Sequence, residues 1–192
     1  MDNHITDNID IEKIERAVRD ILEAVGEDPD REGLKDTPHR VAKMYCELFK
    51  GIKEDPTEHT KKIFHENYNE IVVLRDISFS STCEHHLMPF TGTAHIAYLP
   101  DTSIIGLSKL ARILDCFARR PQVQERLTNQ VADFMMDSLK PKGVAVVIEA
   151  THTCMTVRGV RKPGSVMVTS ALRGSFIKDQ RTRAEVLSLI HG

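Results

Sequence analysis

Tryptophan is absent from the 192-residue chain, and aromatic residues make up only 5% of it. A protein that stacks single-stranded bases on aromatic platforms needs more of them. Positive charge is not in excess either: 26 Lys and Arg face 28 Asp and Glu, a net charge of −2. Binding along a nucleic-acid backbone calls for a basic surplus, so no nucleic acid is expected as partner. No apolar run approaches the ~20 residues that cross a bilayer. The best, Val144 to Ile148, is far shorter, and no membrane partner is expected. The start, Met1-Asp2-Asn3-His4, lacks a basic n-region and an apolar h-region. No export signal is therefore expected, and the expected compartment is cytoplasmic. Only four cysteines occur, Cys46, Cys83, Cys116 and Cys154. In a reducing compartment metal or catalytic roles outrank disulfides.

What is present is ordinary globular composition, 41% hydrophobic and 28% charged. A chain of this length can bury roughly 70% of its unfolded surface, enough for a real core. Ile11, Ile14, Val18, Ile21, Leu22 and Val25 recur at helical spacing. They predict a helix over 10–25, with Asp10 as N-cap and Gly26 as stop. Thr37-Pro38 reads as N-cap and first position of a second helix, closed by Gly51. Residues 52–68 read as loop with a short helix.

From Glu70 the period changes to two. Ile71, Val73, Ile77 and Phe79 predict a strand, and a second follows over Thr91 to Leu99. Ser108 reads as the cap of a helix carrying Leu110, Ile113, Leu114 and Phe117. A longer helix carries Val123 to Leu139. Val144 to Glu149 and Ser165 to Ala171 read as strands, and Thr182 to Ile190 as a final helix. The order is α-α, then β-β-α-α-β-β, then α. That is an α+β plan with a mainly antiparallel sheet. Residues 1–65 are expected to form a helical appendage and 66–192 the sheet-bearing catalytic domain, one structural unit in all.

The densest chemistry is Cys83-Glu84-His85-His86. A thiolate and an imidazole spaced Cys-x-x-His can grip one zinc ion. A third ligand, Cys154, lies in His152-Thr153-Cys154 at the end of another predicted strand, and two strand ends of one sheet can meet. Cys83, His86 and Cys154 would leave the fourth position open to water, the catalytic arrangement. Such a metal would bring the pKa of its water towards ~7. The bland alternative is buried core cysteine, which is the expectation for Cys46 and Cys116. His85 and His152 need not bind metal. An imidazole titrating near 6.5 can move protons at neutral pH, or it can simply orient a ligand. His4, His39, His59, His65, His95 and His191 are expected to be solvated or structural.

Cations recur near predicted helix starts: Arg40 and Lys43, then Lys109 and Arg112 after Ser108. Arg158, Arg161 and Lys162 follow Cys154. Singly these are solvated charges; together they could hold a polyanion. Gln124-Glu125 opens the longer helix. Glu in a first turn is stabilised by the helix dipole. A carboxylate there can equally accept two parallel hydrogen bonds from the N1–H and 2-amino group of guanine, a donor pair adenine lacks.

Taken together, five segments resemble GTP cyclohydrolase I of the zinc-dependent type. They are Thr37 to Tyr45 (TPHRVAKMY), Ser81 to Phe90 (STCEHHLMPF), Gly106 to Arg112 (GLSKLAR), Arg120 to Thr128 (RPQVQERLT) and His152 to Val160 (HTCMTVRGV). The resemblance runs from about residue 10 to the end. It implies the tunnelling fold, a β-β-α-α-β-β antiparallel sheet with helices on one face after an N-terminal helical segment. It also implies a toroidal homodecamer of two pentamers, with active sites at subunit interfaces. Such an assembly also allows allosteric cooperativity.

The implied reaction, by a hydrolase acting on cyclic amidines, converts GTP and water to 7,8-dihydroneopterin triphosphate and formate. This is the first step of folate and other pterin routes. By resemblance Cys83, His86 and Cys154 bind one zinc ion per subunit, and water on the metal attacks C8 of the guanine. His85 moves protons at the imidazole ring, assisted by His152. Glu125 anchors guanine with Gln124 beside it. Ser108, Lys109, Arg112 and Arg158 hold the ribose triphosphate, joined by Arg40 and Lys43 from a neighbouring subunit. Three rivals remain. One is a zinc deaminase, although the His-x-Glu and Pro-Cys-x-x-Cys signature is missing. Another is a non-catalytic structural zinc module closed by His85 or His152. The third is a diverged tunnelling-fold protein that binds purines or pterins.

Overall fold

The computed structural model describes residues 9–192; the expectations for Met1 to His4 lie outside them. The chain divides into two compact units, one through Lys50 and one from Gly51 to Gly192. The division falls earlier than residue 65. The segment after Gly51 belongs to the second unit, where a 3-10 turn over Pro56–His59 packs on the first helix of that unit.

The N-terminal unit pairs helix α1 (Ile11–Ala24) with α2 (Thr37–Leu48). Asp10 caps α1 as its spacing predicts, accepting from the Lys13 amide at 2.9 Å. Gly26 ends it in the left-handed conformation, at φ 87°. The start of α2 differs from expectation. Thr37 is already helical and Asp36 occupies the cap without a side-chain bond, so Pro38 falls in the first turn. His39 Nδ1 meets Glu15 Oε1 at 2.7 Å and joins the two helices.

The second unit contains β1 (Ile63–Phe64), β2 (Val72–Cys83), β3 (Pro89–Leu99), β4 (Ile104–Ile105) and α3 (Leu107–Ala118). It continues through β5 (Pro121–Gln122), α4 (Gln124–Leu139), β6 (Gly143–His152), the one-turn α5 (Thr153–Thr156), β7 (Met167–Gly174), α6 (Ser175–Lys178) and α7 (Gln180–His191). The main sheet runs β5-β2-β3-β6-β7, antiparallel except for the short β2–β5 pairing. The order β-β-α-α-β-β is therefore present. Its two helices share one face of the sheet, where Leu110, Ile113, Leu114, Leu127, Val131 and Met135 meet the strands. Part of the opposite face is covered by Phe176, Val186 and Ile190 of α6 and α7. Cys46 and Cys116 are buried, as expected of core residues.

One irregularity decides where the chemistry points. Val72 and Leu74 face the helix-covered core, and so do Ile77, Phe79 and Cys83. The step from Leu74 to Ile77 is odd, whereas side chains alternate with period two. A register shift between Leu74 and Ile77 absorbs the extra residue. Asp76 takes φ 56° there, and its amide donates to His95 Nδ1 at 3.3 Å. Without that bulge Cys83 would sit on the other face.

Short strands β1, β4 and β5 and helices α5 and α6 carry no periodic signal and are additions to the sequence reading. Ser108 is a further difference. The helix starts at Leu107 behind Gly106, so the Ser108 hydroxyl is not its cap and lies exposed.

Candidate metal centre

Three strand ends converge at one corner of the sheet. Register pairs Thr82 with Pro89 and Phe90 with His152, so β3 holds the end of β2 beside the end of β6. Cys83 ends β2, and Cys154 lies in α5 directly after β6. The connection from Cys83 to Met88 is a tight turn. The Cys83 amide donates to Met88 O at 2.8 Å and the Leu87 amide to Cys83 O at 2.9 Å, with Leu87 at φ 53°. This turn carries His85 and His86. Thr153 Oγ1 donates to Pro89 O at 2.6 Å and ties α5 to the same corner.

Cys83, His86 and Cys154 bring one ligand atom each to within 4.8 Å of one another, and among the described residues they form the one such group. Cys83 Sγ stands 3.8 Å from His86 Nδ1. A tetrahedral zinc with sulfur at ~2.3 Å and nitrogen at ~2.0 Å sets its ligand atoms about 3.6–3.8 Å apart. The donor set therefore fits a zinc-like ion in size and in softness. Burial, then the neighbouring Cys83 sulfur, push the Cys154 thiol above its ordinary value. A divalent cation between the sulfurs reverses that logic, because both can then stay ionised. His85 Nδ1 is 4.0 Å from Cys83 Sγ, but His85 lies outside the mutual group and its side chain is 64% exposed.

His152 lies beside this group on the core side. Its ring stacks on Phe90 at 4.5 Å and 6°, and its Nε2 is 2.8 Å from Gln124 Oε1. Burial lowers its pKa, opposed by the Glu125 carboxylate. Glu125 is exposed in the first turn of α4 and close enough to act on His152 electrostatically. Gln124 parts from its neighbour. Expected beside guanine, it is buried with its amide committed to protein partners.

The sequence profile of GTP cyclohydrolase I matches residues 14–191. The chain belongs to the GTP cyclohydrolase I family. It is 63% identical over 183 residues to GTP cyclohydrolase 1 of Rhodopirellula baltica, covering 95% of this chain and 80% of that protein. The proteins of the same name from Carboxydothermus hydrogenoformans and Bacillus pumilus are each 60% identical over 183 residues. They cover 95% of this chain and 95% and 97% of their own lengths. As a GTP cyclohydrolase I the chain is an enzyme, and its remaining site candidates take on meaning from where they sit.

Arg158 joins the corner, with Nη1 3.3 Å from His86 Nε2. Ser108, Lys109 and Arg112 do not. Helix α3 begins at the far end of the β2–β3 ladder, where Leu107 lines an apolar groove of about 540 Å³ with Val72 and Tyr98. Its other end, Ala118, accepts from Ser81 Oγ at 2.6 Å. The helix rises ~1.5 Å per residue, so Ser108 is on the order of 20 Å from the thiols of its own chain. Lys109 and Arg112 lie close enough to His59 to depress its pKa, after burial. Arg40 and Lys43 belong to α2 of the N-terminal unit.

Sequence reasoning missed Phe90, Glu84, Arg126, Thr128 and Thr169. Glu84 pairs with Arg126 through two contacts, one of them 3.0 Å, and its amide donates to Gln122 O at 3.0 Å. This clamps the turn that carries His85 and His86 to the start of α4. Glu84 and Arg126 both lie inside the quoted motifs, which is the one signal that could have marked them.

Proposed function

We propose that this chain hydrolyses the imidazole ring of GTP, releasing C8 as formate and forming 7,8-dihydroneopterin triphosphate. The observation that carries the reading is the three-donor group of Cys83, His86 and Cys154 set beside His152 and Glu125. The family membership supports it in kind.

Cys83, His86 and Cys154 would hold zinc, one ion per subunit. When bound, such a metal supplies Lewis acidity and a water that ionises near neutral pH. The exposed carboxylate of Glu125 accepts the N1–H and 2-amino hydrogens of guanine and orients C8 towards the thiol corner. His85, free of the ligand group, donates and accepts protons at the imidazole ring, and His152 assists from the core side. After ring opening a second hydrolysis frees formate. The ribose then opens, rearranges in the Amadori manner and closes onto the exposed amine.

Arg158 is within reach of this corner and binds triphosphate there. Ser108 and Lys109 open α3 far from the thiols of their own chain, with Arg112 one turn further along. That separation supports an active site completed by a neighbouring copy, in a homodecamer of two pentamers. Arg40 and Lys43 are assigned to the triphosphate from a neighbouring subunit, and coupling between such shared sites is the basis for allosteric behaviour. Four unpaired thiols suit a reducing cytoplasm, and the product suits folate or other pterin synthesis.

The test is formate release from GTP against ATP, for the parent protein and for Cys154→Ala. The parent should release formate from GTP alone, and Cys154→Ala should lose bound metal and turnover together. A Cys154→Ala protein that keeps both would sink the ligand assignment. A structural zinc module would give no formate at all.

A further inference from the structure

Gln124 is 1% exposed, so both ends of its amide must find partners inside the protein. Its Nε2 donates to Ile148 O and to Met167 O, each at 3.0 Å, with Thr169 Oγ1 at 3.2 Å. Backbone carbonyls only accept, which settles which end of the amide carries nitrogen. The remaining end, Oε1, faces His152 Nε2 at 2.8 Å. An amide oxygen also only accepts, so the imidazole proton must sit on Nε2.

The two threonines agree. Thr128 Oγ1 donates to Gln124 O at 2.7 Å, which uses its one proton. The 2.7 Å contact between Thr128 and Thr169 is then a donation from Thr169. That leaves Thr169 Oγ1 an acceptor towards the Gln124 amide. The two hydrogens of Gln124 Nε2 are shared among three acceptors, and every contact in the cluster runs in one direction. Phe90, stacked at 4.5 Å, fixes the plane of the ring.

We infer that Gln124 is a positioning residue for His152 and not a contact of GTP: it locks the imidazole with its proton on Nε2 and leaves Nδ1 as the lone-pair atom. This rests on the proposed role of His152 in moving protons. A free neutral histidine exchanges between two tautomers; one held in a single tautomer presents the same basic nitrogen at every encounter. The network reaches His152 from α4, β6 and β7, so the ring is set by the fold and not by the bound nucleotide.

The experiment is nitrogen-15 NMR of histidine-labelled, metal-loaded protein, with His152 assigned by its loss in His152→Asn. The expected result is a protonated Nε2 and a bare Nδ1. A proton on Nδ1, or a mixture of tautomers, overturns the inference in the unaltered protein. Gln124→Met keeps the volume and removes both halves of the bonding. It should lower kcat about ten-fold or more at nearly constant KM for GTP, with mixed His152 tautomers. A raised KM with kcat preserved would make Gln124 a substrate contact after all. If Gln124→Met does not fold, the tautomer of the unaltered protein decides. Absence of formate from that same protein would instead strike the proposed reaction and leave the tautomer finding to stand by itself.

Discussion

Burial first, and then the Cys83 sulfur beside it, hold the Cys154 thiol above its ordinary value, since two sulfurs side by side resist sharing negative charge. A cation relieves that resistance, which makes Cys83 and Cys154 a pair shaped for a metal more than for a core. His59 offers an independent check on the cations elsewhere. Burial, then Lys109 and Arg112, hold its pKa below the ordinary 6.5. Folding therefore favours the neutral form. Its stabilising contribution is complete above the unfolded value and is lost as pH falls through the lower folded value. An anion seated on Lys109 and Arg112 weakens the repulsion, so inorganic triphosphate should raise the His59 pKa in an NMR titration. An unmoved titration curve would remove this set from the triphosphate site. At this scale much was legible: Cys83, His86 and Cys154 stand out by type and spacing. Gln124 and Glu125 are neighbours that the sequence treats alike, and only burial separates the two.

Element by element, the apolar patterns predicted α1 to α4, α7 and the four long strands. The bulge in β2 has no such signature. It follows from register against β3, a long-range property, yet it decides that Cys83 points into the corner. The close approach of β3 and β6 is equally hidden. A Cβ on Gly92 would lie 1.8 Å from Glu149 O and 2.7 Å from Ala150 Cα, both backbone atoms that cannot swing aside. Gly92→Ala must therefore part the two strands two residues from the Phe90–His152 pair. We expect a loss of about 3 kcal/mol in denaturant unfolding. An unchanged midpoint would show that the sheet gives there more readily than its backbone contacts imply.

At the scale of the molecule, the separation along α3 is the main constraint. Ser108 and Arg112 share a helix that starts at the far end of the sheet from the thiols. Sequence order could not reveal this, since it says which residues exist and not which end of a helix meets which end of a strand. If a neighbouring copy closes the site, two defects in different chains should complement. Cys154→Ala and Arg112→Ala proteins, each inactive, should regain about a quarter of the parent rate or less when unfolded and reassembled together, by the statistics of mixed interfaces. Mixtures as inactive as their components would place the whole site within one chain.

If the thiol corner is a catalytic metal centre for opening the guanine ring, the reaction must follow the metal. The most direct measurement is formate released per GTP by the purified protein, before chelation, after removal of metal, and after zinc is returned. We expect one formate per GTP consumed, lost on chelation and restored as zinc approaches one ion per chain. Formate release that persists after the metal has gone would contradict it, and so would a metal-loaded, assembled protein that releases none.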